Sequence, residues 1–176
     1  SGIHGRATDT SSAGFQAASQ CYIRITQGQA DNNTDAKDMP YTFDFNRNAQ
    51  GLAELVALLR AGGEFGAPVS RVVLVGFSAG GLSSLLAAAT PGVVGYVGLD
   101  PFDRVAPDRK GALGLDFAPD LKTEAILLRA PPSRCNAQSV AAPWGQALPA
   151  LLSDRVIEGA SHCDFESPSD WMCRLA

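Results

Sequence analysis

Residues 76–80 read Gly-Phe-Ser-Ala-Gly, a spacing that can present the Ser78 hydroxyl as a nucleophile. A serine attacks a carbonyl only when a base takes its proton and a tight turn lifts it clear of its neighbours. Such a turn holds the serine in a strained backbone conformation, where side chains at positions 76 and 80 would collide with the adjoining strand and helix. Glycine at both places answers that demand. Ala79 then offers a backbone N–H at the start of a helix, where unpaired amides and the helix dipole can stabilise a developing oxyanion. In a chain with 18 glycines the bare pattern can arise by accident, so its flanks decide. Residues 71–75 (Arg-Val-Val-Leu-Val) suit a strand and residues 82–89 a helix, which is the strand, turn and helix that this chemistry needs. A glycine-rich phosphate-binding turn is disfavoured because no lysine lies beside it.

Ser78 needs a base, and the chain has two histidines, His4 and His162. Where a serine sits on a turn of this kind the chain order is Ser, acid, His, which selects His162. A short strand over 154–157 delivers it onto the loop Glu158-Gly159-Ala160-Ser161. The commonest place for the acid follows the strand expected over 125–129, yet residues 125–153 contain no Asp or Glu. The preceding strand, 93–99, runs directly into Asp100-Pro101-Phe102-Asp103. Asp100, at the strand tip, is the favoured acid and Asp103 the alternative. Its role is to hold His162 in one tautomer and to stabilise the protonated ring.

The elements that must position these side chains alternate. A strand is expected over 21–26, then a solvated loop over 31–38 rich in Asp and Asn. A helix follows, capped by Asn46 or Asn48, with Leu52, Leu55, Val56, Leu58 and Leu59 at helical spacing and Gly62-Gly63 at its end. The strands over 71–75, 93–99 and 125–129 are almost continuously apolar, as in parallel sheets covered on both faces. A helical stretch over 80–89 separates the first two, and 141–152 can hold another between the strands over 125–129 and 154–157, limited by Pro143 and Pro149. This alternation predicts one α/β domain over 1–176 with a mostly parallel sheet flanked by helices.

A chain of 176 residues buries roughly two-thirds of its unfolded surface in one core. The net charge of −4 and the absence of a basic block argue against nucleic acid as a partner. No apolar run approaches the roughly 20 residues of a membrane span. The four cysteines, Cys21, Cys135, Cys163 and Cys173, allow three pairings, and with the low charge they suit a secreted or periplasmic protein. A bridge from Cys163 to Cys135 or Cys173 would tie down the loop that carries His162. Cys135, His162, Cys163 and Asp164 fit no familiar zinc spacing, so neither metal nor cofactor is expected. Phe77, Trp144, Phe165, Trp171 and Met172 serve either an apolar substrate pocket or the core.

The combination of Gly-Phe-Ser-Ala-Gly-Gly, Gly-Leu-Asp-Pro-Phe-Asp and Gly-Ala-Ser-His resembles the α/β-hydrolase superfamily, nearest its chlorophyllase and bacterial polyesterase or lipase branches. The likeness covers roughly residues 46–166. It implies a Ser78–Asp100–His162 triad, since a Gly-x-Asp-Pro segment carries the acid in those branches. His4-Gly5-Arg6 looks like the tail of the family's oxyanion loop, and by that likeness Arg6 would supply a second backbone N–H beside that of Ala79. Family members have several strands before the nucleophile turn, whereas this chain reaches it after 75 residues. The resemblance therefore implies either a minimal version of the fold, apparently lacking its first strands, or a fragment completed by a companion N-terminal polypeptide.

These readings converge on a cofactor-independent esterase, lipase-like or polyesterase-like, acting on a small-molecule or polymeric ester through an acyl-enzyme. An acyltransferase or thioesterase would use the same triad. A non-catalytic, hydrolase-like binding protein is the alternative of a different class.

Overall fold

The computed structural model describes residues 8–10, 15–17, 44–63, 66–103 and 113–166. The chain groups into two units, residues 1–43 and 44–176. In the first, β1 (Thr8–Thr10) pairs antiparallel with β2 (Phe15–Ala17). The expected strand over 21–26 and loop over 31–38 lie outside the described residues, as do His4, Gly5 and Arg6.

The second unit is an α/β fold. Its elements run α1 (Phe45–Ala61), β3 (Val72–Phe77), α2 (Ser78–Ala87), β4 (Val93–Leu99), α3 (Leu113–Phe117), a 3-10 turn (Ala118–Asp120), β5 (Glu124–Arg129), α4 (Trp144–Ala147), β6 (Leu151–Val156) and a second 3-10 turn (His162–Phe165). The four strands form one sheet in the order β3-β4-β5-β6, and every pair is parallel. Parallel neighbours cannot be joined by hairpins, which is why a helix or a long crossover lies in each connection.

Helix α1 starts earlier than its sequence suggests. Asp44, rather than Asn46 or Asn48, is the cap, and its carboxylate accepts the Arg47 N–H at 3.0 Å. A carboxylate so placed also meets the positive end of the helix dipole. Gly62 ends the helix at φ 76°, with its N–H bonded to the Leu58 carbonyl. Ala49, Leu52 and Val56 pack with Leu74 of β3 and Ala87 of α2, while Leu58 stays 53% exposed. In the sheet, Leu74, Tyr96 and Ala125 lie side by side in register and are all buried.

Two expectations are corrected. Nearly continuous apolar strands predict cover on both faces, yet Val73 and Val75, on the face opposite Leu74, remain 47% and 56% exposed. The helix expected over 141–152 is only Trp144–Ala147, because Pro143 serves as its N-cap and the chain turns extended at Leu148. The last strand accordingly begins at Leu151 rather than Asp154, gaining its register on β5 through a bulge between Ala125 and Ile126. Arg129 and Asp154 lock that register with two bonds, at 2.7 and 2.8 Å. Among the described residues no helix is long and apolar enough to cross a membrane.

Candidate active site

The β3-to-α2 junction is abrupt. Phe77 is the last strand residue and Ser78 the first helical one, at φ 51°, a left-handed conformation that β-carbon-bearing residues normally avoid. Strain of this kind is held by its surroundings, and these are visible. A methyl on Gly76 would come within 2.7 Å of the Gly80 carbonyl carbon and of Ser84 Oγ. One on Gly81 would lie 2.7 Å from Pro101 Cβ. Bare backbone at both positions lets α2 settle against the strand behind it and against the loop after β4. The Phe102 N–H donates to the Ser78 carbonyl at 3.0 Å, and the buried Tyr96 hydroxyl donates to the Gly81 carbonyl at 3.0 Å. The nucleophile turn and the segment after β4 are thus one packed body. Ala79, second in α2, has one of the N–H groups that a helix leaves without an internal acceptor.

The neighbouring strand tip supplies a carboxylate. Asp100 is 2% exposed and sits at φ 38°. Its N–H donates to the Leu128 carbonyl at 2.7 Å, and its Oδ1 accepts the Ala130 N–H at 3.0 Å. Beyond β6 the chain turns at Ile157–Ala160, with Gly159 at φ 79°, and enters the turn that carries His162. Ser161 and Asp164 form a reciprocal cap there: Asp164 Oδ2 accepts both the Ser161 N–H, at 2.7 Å, and its hydroxyl, at 2.9 Å. These bonds, the backbone one foremost, hold the Asp164 carboxyl below its ordinary range. A carboxylate so shifted supports the fold above its ordinary value and loses that support as pH falls through the lowered one, so the cap is intact at neutral pH.

These elements bring three side chains into line. His162 Nδ1 lies 2.6 Å from Asp100 Oδ2, and Nε2 lies 3.0 Å from Ser78 Oγ. The carboxylate can only accept, which places the ring proton on Nδ1 and leaves Nε2 free to accept from the serine hydroxyl. The ring packs on Phe77, with centroids 4.6 Å apart, and its side chain is 11% exposed. The structure therefore brings Ser78, Asp100 and His162 together, with Ala79 beside them. Arg6 lies outside the described residues.

Asp103 points elsewhere. It is 1% exposed and accepts the Gly114 N–H at 2.8 Å, the Leu115 N–H at 2.9 Å and the Trp144 indole N–H at 2.6 Å. It caps α3 and anchors Trp144, which is fully buried and so belongs to the core rather than to a pocket. Asp103→Ala would strand three donors, two of them buried, and should lower the unfolding free energy by about 3 kcal/mol, measured by urea denaturation.

Cys135 is a free, exposed thiol, which removes the Cys135–Cys163 pairing. Cys163 is disulfide-bonded. Among the described residues no three His, Cys, Asp or Glu side chains group as a metal ion would need. A buried polar residue beside the acid escaped the sequence reading: Asn136, whose amide reaches the Asp100 carboxylate. Its only signal was its place in the carboxylate-free stretch after β5. No model of a known protein family matches the sequence, and no curated protein matches it.

Proposed function

We propose that this protein is a serine-dependent carboxylic ester hydrolase of the α/β-hydrolase type. One observation carries the reading: an unbroken chain of hydrogen-bond contacts from Asp100 through His162 to Ser78, at 2.6 and 3.0 Å, with the serine held at positive φ on a strand-to-helix turn. In the reaction, Ser78 Oγ passes its proton to His162 Nε2 and bonds to the ester carbonyl carbon. The carbonyl oxygen takes the charge, facing the Ala79 N–H at the positive end of α2. His162 then hands its proton to the departing alkoxide, leaving an acyl group on Ser78. A water molecule, deprotonated by the same ring, releases the acid and restores the serine. Asp100 keeps the ring oriented and balances its charge at each protonated stage.

The bonded state of Cys163, next to His162, supports an oxidising compartment, secreted or periplasmic. The substrate is a small-molecule or polymeric ester. The test is a panel of short, long and polymeric esters followed by rapid mixing. Turnover of at least one, with an initial burst of alcohol and an acyl adduct on Ser78, is expected. Absence of both burst and turnover across the panel contradicts the reading.

A further inference from the structure

The Asp100 carboxylate holds more than the His162 bond. Asn136 Nδ2 lies 3.2 Å from Asp100 Oδ2 and 3.4 Å from Oδ1, on the same carboxylate that accepts the Ala130 N–H. Asn136 is itself only 2% exposed, and its amide is fully engaged. Oδ1 accepts the Ser133 N–H at 2.8 Å and the Ser139 N–H at 3.0 Å, while Nδ2 also donates to the Pro131 carbonyl at 3.0 Å. Two backbone N–H groups facing Oδ1 settle which end of the amide meets the carboxylate.

The turn that presents Asn136 is strained. Ala137, Gln138 and Ser139 follow one another at φ 50°, 60° and 56°, all in the left-handed region and none of them glycine. Such a run persists where the surroundings over-determine it, and the Ser139 N–H is claimed by both the carbonyl and the side-chain oxygen of Asn136.

We propose that Asn136 is a positioning residue, held by this left-handed turn so that its amide fixes the plane of the Asp100 carboxylate against His162. The inference rests on the ester-hydrolase reading above. With Ala130 and Asn136 donating to it, the carboxylate cannot swing away from the ring. Because the amide is neutral, it does so without drawing off the negative charge that must balance a protonated His162. Neighbouring groups do not compete for this role: Arg134 and Cys135 are exposed, Asp103 is engaged with Gly114, Leu115 and Trp144, and Asp164 is turned back onto Ser161.

Asn136→Asp separates the two ends of the amide. It keeps an oxygen for the Ser133 and Ser139 N–H groups and replaces the donor with a second carboxyl oxygen. Ionised or sharing one proton, that pair changes the field at His162. The expected result is a folded protein whose kcat on an aryl ester falls by about 10- to 100-fold, the range seen when a ligand-orienting hydrogen bond is lost, with KM little changed. The low-field proton NMR signal of the His162 Nδ1–H should move or vanish. Asn136→Ala, read by the same two measurements, should lose the turn as well and melt at lower temperature. Parent-like kcat and an unmoved Nδ1–H signal in either folded variant overturn the proposal. If instead the parent protein turns over no ester and takes no fluorophosphonate at Ser78, the ester-hydrolase reading fails, while the NMR comparison still decides whether Asn136 holds Asp100.

Discussion

Ser78→Ala should lower kcat on a simple aryl ester by a factor on the order of 10⁶ and leave the melting temperature almost unchanged. The size of the effect follows from what remains. Asp100 and His162 keep their 2.6 Å contact, but the ring has no oxygen to deprotonate except that of a loosely held water. Alanine and serine both carry a β-carbon, so the strain at φ 51° is the same in parent and variant, and the Phe102-to-Ser78 backbone bond survives. Glycine differs. Ser78→Gly should be equally inactive yet more stable than Ser78→Ala by about 1 kcal/mol, because the left-handed conformation no longer costs it a steric clash. Steady-state kinetics together with urea denaturation of the two variants separate loss of the nucleophile from loss of the fold.

Asp100→Asn should lower kcat by about 10⁴-fold, again with the fold retained, since asparagine tolerates positive φ better than most residues. The Ala130 N–H, which donates to Oδ1 on the side away from His162, decides how the new amide sits. Its oxygen must face that donor, which turns its NH₂ toward His162 Nδ1. The ring then has to accept there and carry its proton on Nε2, where it can no longer take the proton of Ser78 Oγ. Substrate binding does not depend on that tautomer, so KM should change little. Asp103 has the opposite profile: its loss unseats α3 and Trp144, so stability falls first. The pair of variants, each read for kcat and for denaturation midpoint, shows which of two buried carboxylates three residues apart acts on His162.

Much of the arrangement was legible because it is local. The β3 strand, the Gly-Phe-Ser-Ala-Gly turn and the α2 helix are consecutive, and each announces itself by residue type. The apolar run of β4 spans Val93–Leu99 and leaves Asp100 at its tip. The misjudged stretches depend on contacts far apart in the chain. The start of β6 is set by its pairing with β5 across a bulge, while the residues before it, taken alone, have helical spacing. Asparagines are good caps, so the sequence of α1 points to Asn46 or Asn48, but Asp44 is the one whose carboxylate reaches a first-turn N–H. Asn136 was invisible for a different reason. Its left-handed turn is made by Ala137, Gln138 and Ser139, none of which signals positive φ, and its partner Asp100 is 36 residues away.

Reaction with a fluorophosphonate, followed by peptide mass spectrometry, tests the central claim most directly. The reagent phosphonylates a serine only when a base activates it and nearby N–H groups steady the phosphonyl oxygen. The account predicts one adduct per chain, located on Ser78, formed by the parent protein and abolished in His162→Ala. A parent protein that stays unlabelled at Ser78, or that labels equally well without His162, would contradict it.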